Sequence, residues 1–121
     1  MKQLRDRMIR VRDEFYKYKR AKGFMSFMFS SPLHYILVLE VAIADASSKS
    51  INFETIMKLL PSSMGSRSTV ATVLDDFVAS KYICKRVGKD KRKRVYKICP
   101  EPMKLLEAWL VERQRSLKAV A

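Results

Sequence analysis

The 121-residue sequence has few glycines, prolines, cysteines and histidines, and these shortages exclude several classes of protein. Three glycines and four prolines are too few for a collagen-like or low-complexity chain, and they argue against a turn-rich all-β architecture. Two cysteines and one histidine supply neither a disulfide framework nor a clustered metal site. The sequence contains no phosphate-binding glycine loop and no recognisable catalytic triad. We therefore expect no cofactor, no metal ion and no catalytic residue.

Long hydrophobic runs are also missing. The longest apolar window, residues 33–44, is too short to cross a membrane and contains Glu40. Charged residues recur from Lys2 to Lys22, which is unlike the apolar region of a signal peptide. We expect a cytoplasmic protein without a membrane partner, although a basic amphipathic helix lying on a membrane surface stays an alternative for the N-terminal segment.

Acidic residues are scarce relative to basic ones. There are 12 aspartates and glutamates against 25 lysines and arginines, a formal net charge of +13. Residues 1–22 hold nine basic and three acidic side chains, and residues 81–97 hold nine basic and one acidic. The seven basic and eight acidic residues elsewhere nearly cancel. Two local positive fields of this size indicate a polyanionic partner, such as a nucleic acid or an anionic surface.

Hydrophobic periodicity predicts one mainly α domain, residues 1–121, with a small β-hairpin. After the helix at 66–80 the spacing of the apolar residues changes from a period of 3.6 residues to a period of 2, which indicates two strands. The predicted N-caps are Ser31, Asn52 and either Ser66 or Ser68. The predicted elements are helices at 4–22, 32–46, 53–60, 66–80 and 102–118, an aromatic connector at 24–29, and strands at 82–87 and 94–99 joined by a loop at 88–93.

The helices at 53–60 and 66–80, followed directly by the basic hairpin, have the order of a helix-turn-helix with a wing. The first residues of a recognition helix reach base edges in the major groove. Arg67 offers a two-donor fork to guanine, and no acidic residue between Lys58 and Asp75 opposes the approach of DNA. Small hydroxyl groups bond phosphates or bases, and arginines of a wing tip fit a narrow minor groove. The candidate DNA-binding residues are Ser66, Arg67, Ser68, Thr69 and Thr72 on the helix and Lys89, Lys91, Arg92, Lys93 and Arg94 on the wing.

The run RSTVATVLDDF at residues 67–77, followed by YICKR at 82–86 and DKR at 90–92, resembles the recognition helix and wing of MarR-type winged-helix regulators. The likeness covers about residues 52–99. It implies that Asp90 braces the wing loop and that a wing arginine contacts the minor groove.

The apolar stripe of the first helix has heptad spacing and must pack either on its own domain or on a second subunit. The resemblance implies the second option, with dimerisation through residues 4–22 and 102–118. The implied dimer-interface residues are Leu4, Met8, Val11, Phe15, Tyr18, Leu106, Trp109 and Leu110.

The sequence therefore predicts a homodimeric winged helix-turn-helix protein that binds double-stranded DNA sequence-specifically, regulates transcription and associates with the nucleoid. The helix at 66–80 is expected in the major groove, and the wing at 88–94 at the minor groove or backbone. Two alternatives stay open. One is a non-specific architectural, replication or RNA-binding winged-helix protein, and the other is a protein-interaction adaptor that binds a partner helix through residues 4–29. The sequence does not identify a small-molecule effector.

Overall fold

The computed structural model describes residues 1–89 and 92–120, with residues 117, 119 and 120 described by their helical backbone alone. Within this part of the chain the protein is mainly helical and carries one antiparallel hairpin, as the sequence predicts. No helix in the described ranges combines the length and apolar character needed to cross a membrane. The elements in chain order are α1 (Lys2–Arg20), α2 (Phe24–Met28), α3 (Pro32–Ala46), α4 (Phe53–Leu59), a 3-10 turn (Ser62–Met64), α5 (Arg67–Ala79), β1 (Ile83–Val87), β2 (Arg94–Ile98) and α6 (Pro100–Val120).

Three of the helices begin at side chains that cap them, which confirms the predicted starts. Ser31, Asn52 and Ser66 each accept a hydrogen bond from the backbone N–H three residues later, at distances of 2.9–3.2 Å. Each cap satisfies one of the N–H groups that a first helical turn leaves without a partner. Pro32 follows Ser31 at the first position of α3, where a missing N–H has no cost.

The aromatic connector predicted at 24–29 is a short helix, α2, rather than an irregular segment. Phe24, Met25 and Met28 are buried, and the Phe27 ring meets the Phe77 ring edge-on at 4.7 Å between centroids. Tertiary packing decides this conformation, because an isolated helix of five residues has no stability of its own. The segment therefore joins α1 to the core instead of lying at the surface.

The central element is α3, as its nearly continuous apolar sequence predicts. Leu37, Val38 and Val41 have 0% of their surface exposed, and α3 packs against β2, α2 and α5. Complete burial of an aliphatic side chain contributes roughly 1.5–3 kcal/mol to folding. The rest of the fold is arranged around this helix.

The hairpin is attached to the segments before α4 by two hydrogen bonds. β1 and β2 pair with Ile83 opposite Ile98. On the other edge of β2, the Tyr96 N–H donates to the Ile51 carbonyl at 2.9 Å, in an isolated antiparallel bridge. The Ile98 N–H donates to the Asp45 carboxylate at 3.2 Å. The lateral order is therefore Ile51, β2, β1, and the hairpin is held against the chain between α3 and α4.

The end of α5 depends on a residue in the left-handed backbone conformation. Lys81 follows the cap residue Ser80 and has a φ of 64°. The Lys81 N–H donates to the Val78 carbonyl and the Tyr82 N–H to the Phe77 carbonyl, each at 3.0 Å. This is the Schellman arrangement, in which glycine is the usual residue because a Cβ atom is strained at positive φ.

We expect Lys81→Gly to raise the free energy of unfolding by roughly 0.5–1 kcal/mol, because it relieves that strain. The matched control is Ser80→Gly, where φ is −80° and a glycine only adds entropy to the unfolded chain. Urea denaturation of both variants measures the difference. A lower stability for Lys81→Gly than for the wild-type protein would contradict this account.

Candidate nucleic-acid interface

The predicted recognition-helix residues lie at the cap and first turns of α5, and all of them are exposed. Their hydroxyl groups are bonded to one another. The Ser66 Oγ lies 3.1 Å from the Ser68 Oγ and 3.0 Å from the Thr69 Oγ1, and the Thr72 Oγ1 donates to the Ser68 carbonyl at 2.9 Å. Ser66 is the N-cap, so its oxygen already serves the helix. Ser68, Thr69 and Thr72 present the polar surface of this helix end.

Arg67 forms an ion pair with Glu54. The surface around Arg67 therefore contains a carboxylate, although the sequence predicted that no acidic residue opposes the approach of DNA there. The Arg67 Nη1 and Nη2 donate to the two Glu54 carboxylate oxygens at 3.2 and 2.5 Å. The Arg67 hydrogen bond is the main cause that lowers the pKa of Glu54, and the same bond raises the pKa of Arg67. The sequence stretch between Lys58 and Asp75 is acid-free, but the turn after α4 brings the first turns of α4 and α5 together.

A second contact holds the Arg67 guanidinium in place. Its carbon lies 5.1 Å from the centre of the Phe53 ring, within the range of a cation–π interaction. Phe53 and Glu54 are the first two residues of α4. The N-terminal turn of α4 therefore supplies both an aromatic face and a carboxylate to the first residue of α5.

The hairpin carries exposed cations close to its turn. Gly88 closes the base of the loop, because its N–H donates to the Lys93 carbonyl at 3.2 Å. A Cβ atom at position 88 would lie 2.9 Å from the Val95 side chain, so a larger residue there would have to displace that side chain. Asp90, the predicted wing brace, and Lys91 lie outside the described residues. The predicted wing residues that the structure describes are all exposed, and they are Lys89, Arg92, Lys93 and Arg94.

A groove between the start of α4, the middle of α5 and the hairpin is lined by two of the predicted wing residues, Lys93 and Arg94, and by none of the predicted recognition-helix residues. It has a volume of about 370 Å³. Its cations come from the hairpin, and its carboxylates come from α4 and α5. We call it the α5–hairpin groove, and its charged lining residues are Glu54, Asp75, Lys85, Lys93 and Arg94.

Three charged residues of this groove, Glu54, Asp75 and Lys85, are not among the predicted site residues. Lys85 lies on β1 with its Nζ 5.9 Å from the centre of the Tyr96 ring, and strand alternation puts it on the same face as the buried Ile83, so that alternation alone does not predict its exposure. Glu54 had only the general signal of an acidic residue in a first helical turn, which favours the helix dipole. Neither signal indicates a contact with α5 or with the hairpin.

Three of the eight residues assigned to the dimer interface belong instead to the core of the protomer. Tyr18 stacks on Phe29 at 5.2 Å between ring centroids, and Trp109 meets the rings of Phe29 and Tyr35 edge-on at 6.0 and 6.1 Å. Leu106 is 3% exposed. An apolar stripe marks a face that must be covered, and here α2 and α3 already cover part of it. The other five assigned residues, Leu4, Met8, Val11, Phe15 and Leu110, are about half exposed.

The two cysteines lie beside each other at the end of the hairpin. Burial, and next the hydrogen bond with Cys84, raise the pKa of Cys99 to about 12. The Cys99 thiol is therefore protonated at neutral pH and lacks the thiolate character of a reactive cysteine. Among the described residues, no group of three or more His, Cys, Asp or Glu side chains is placed to hold a metal ion.

Comparisons of this chain with protein-family models, curated proteins and solved structures give no match. The functional conclusion therefore rests on the arrangement of α5, the hairpin and the charges between them.

We expect Ser66→Ala to lower the free energy of unfolding by about 1 kcal/mol, because it removes the N-cap of α5. Ser68→Ala is the matched control and should change stability by less than about 0.5 kcal/mol, since its exposed hydroxyl caps nothing. Chemical denaturation distinguishes the two. Equal losses would mean that the cap contributes no more than an ordinary surface hydroxyl.

Proposed function

We propose that this protein is a homodimeric winged helix-turn-helix regulator that binds duplex DNA and reads its sequence. The observation that carries the proposal is the α5–hairpin groove. It places the Lys85, Lys93 and Arg94 side chains next to the middle of α5, so that the cationic hairpin flanks the helix whose first turn carries Arg67. A helix N-terminus favours phosphate, and clustered cations favour a polyanion.

The order of the elements supports the winged-helix part of this proposal. A central helix α3 is followed by the bridge residue Ile51, by α4 and α5, and then by the hairpin. The lateral order Ile51, β2, β1 is that of a winged helix, in which a short strand before the helix-turn-helix pairs with the second wing strand. The likeness to MarR-type regulators over residues 52–99 belongs to the same proposal.

In the proposed complex, the N-terminal turns of α5 enter the major groove, with Arg67 directed to a guanine and Ser68, Thr69 and Thr72 contacting bases or phosphates. The hairpin cations contact the adjacent minor groove or the flanking backbone. Phosphate contacts position the protein, and base contacts give the sequence preference. The protein would thus associate with the nucleoid.

The dimer is proposed from the apolar surface that the protomer leaves exposed. Leu4, Met8, Val11 and Phe15 form a stripe on α1, and Leu110 lies exposed on α6. Two subunits related by a two-fold axis would read a pseudo-palindrome with half-sites one helical turn apart, about 34–36 Å. Exclusion of the polymerase from the covered site is the default mechanism if such a dimer acts as a repressor, and the sequence does not distinguish repression from activation.

The deciding experiment is the selection of bound duplexes from a random DNA pool at about physiological salt, followed by sequencing. Enrichment of a palindromic motif is the expected result. Tight binding without an enriched motif would favour an architectural or RNA-binding protein. Absence of retained DNA would favour a protein-interaction adaptor.

We expect the double variant Lys93→Ala, Arg94→Ala to bind every duplex more weakly and to reduce the slope of log K against log [salt] by about two, because two phosphate contacts are lost. The control is Lys104→Ala, Arg115→Ala, which removes the same charge from α6. Fluorescence anisotropy at a series of salt concentrations measures both. Equal effects of the two double variants would attribute binding to net charge alone and would remove the wing from the proposal.

We expect Leu4→Asp with Val11→Asp to convert the dimer to a monomer, because charge in the exposed stripe opposes its burial. The control is Ile43→Asp with Leu59→Asp, two exposed apolar residues outside the stripe. Light scattering at several protein concentrations gives the mass. If the α1 variant still dimerised at the same protein concentrations as the wild-type protein, the interface would lie elsewhere.

A further inference from the structure

Arg67 is held by Glu54 at the place where the proposed function requires it to contact a base. The two side chains connect the first turns of α4 and α5 through two hydrogen bonds, and the guanidinium carbon lies 5.1 Å from the centre of the Phe53 ring. Arginine side chains have many rotamers, and their immobilisation on binding costs free energy. In this protein the guanidinium is oriented before any ligand arrives.

The ion pair leaves part of the guanidinium available. Arginine has five N–H donors in a planar fork, and Glu54 takes its bonds from Nη1 and Nη2. The Nε–H makes no hydrogen bond to any residue that the structure describes. The edge formed by Nε and its neighbouring Nη can therefore donate to two acceptors in one plane, as guanine O6 and N7 require.

The pair is exposed, and this excludes a main role in stability. The Arg67 and Glu54 side chains are 61% and 56% exposed. Exposed ion pairs contribute little to folding, since water and salt screen them. A carboxylate on a DNA-facing surface also repels phosphates and so weakens binding to every duplex. A role other than affinity must therefore account for its presence there.

We propose that Glu54 is a specificity-determining residue, which positions Arg67 to read a guanine and keeps its guanidinium from neutralising a phosphate. The inference rests on the proposed function, because it assigns a role within the same interface. Glu54 weakens binding to all sequences and increases the difference between the right and the wrong base. It acts through Arg67 and not by contacting the DNA itself.

The test compares Glu54→Gln with the wild-type protein. Glutamine keeps the shape and one acceptor but removes the charge that fixes the guanidinium. The matched control is Glu101→Gln, which removes the same charge from an exposed ion pair with Lys104 on α6. Each protein is used in the selection from a random duplex pool, and its affinity is then measured for the selected duplex and for an unrelated duplex. Urea denaturation is run in parallel.

For Glu54→Gln we expect binding to the unrelated duplex to tighten several-fold and the preference at one base pair of each half-site to fall by about tenfold. Glu101→Gln should leave that preference unchanged. The double variant Glu54→Gln, Arg67→Ala should have the same preference as Arg67→Ala alone, because Glu54 acts only through Arg67. The denaturation midpoint of Glu54→Gln should fall no further than that of Glu101→Gln, which also removes a carboxylate from a first helical turn, whereas a merely structural role would lower it further.

Two results would overturn the inference, and they are distinguishable. In the first, Glu54→Gln selects the complete wild-type motif, whereas Arg67→Ala loses the preference at one base pair. The proposed function would then stand, and Glu54 would have no role in specificity. A wild-type protein that enriches no motif would overturn the proposed function and the inference together.

Discussion

The hydrogen bond from the Tyr96 N–H to the Ile51 carbonyl is the constraint on which the candidate interface depends. It fixes β2 to the chain that leaves α3 and enters α4, and the Asp45 carboxylate reinforces it at the Ile98 N–H. A two-stranded hairpin is marginally stable by itself. Because this hairpin is anchored on the same segment that starts the helical pair, its cations keep a defined position relative to α5. The core around α3 thus determines the geometry of a surface that it does not form.

The two basic segments of the sequence have different structural settings. In α1, one cation and one carboxylate pair with α6, since Lys17 lies 3.0 Å from Glu112 and Glu14 lies 3.8 Å from Arg113. The hairpin cations meet the mixed charges of the α5–hairpin groove instead. Within that groove the Glu54 carboxylate is committed to Arg67. The hairpin therefore presents exposed cations beside α5, and a polyanion is the ligand that such a field attracts.

The sequence predicted the elements better than it predicted the contacts between them. Caps such as Ser31 and Asn52 act within three residues, and strand alternation is local, so that both are visible in a single sequence. The Glu54–Arg67 pair depends on the angle between two helices, which no local pattern encodes. The heptad stripe of α1 correctly indicated a face to be covered, but it did not show that Tyr18 packs on α2 of its own protomer. The left-handed conformation of Lys81 has no signal in the sequence, because the residue there is not glycine.

The single tryptophan of the chain has an unusual environment that makes it an internal optical probe. Trp109 is 3% exposed, and its indole N–H is buried without a hydrogen-bond acceptor among the described residues. Because its ring packs against Phe29 and Tyr35, we expect its emission to report on the docking of α6 against those two residues. Because Trp109 is not among the residues lining the α5–hairpin groove, its fluorescence follows the integrity of the helical scaffold independently of occupancy at the basic surface.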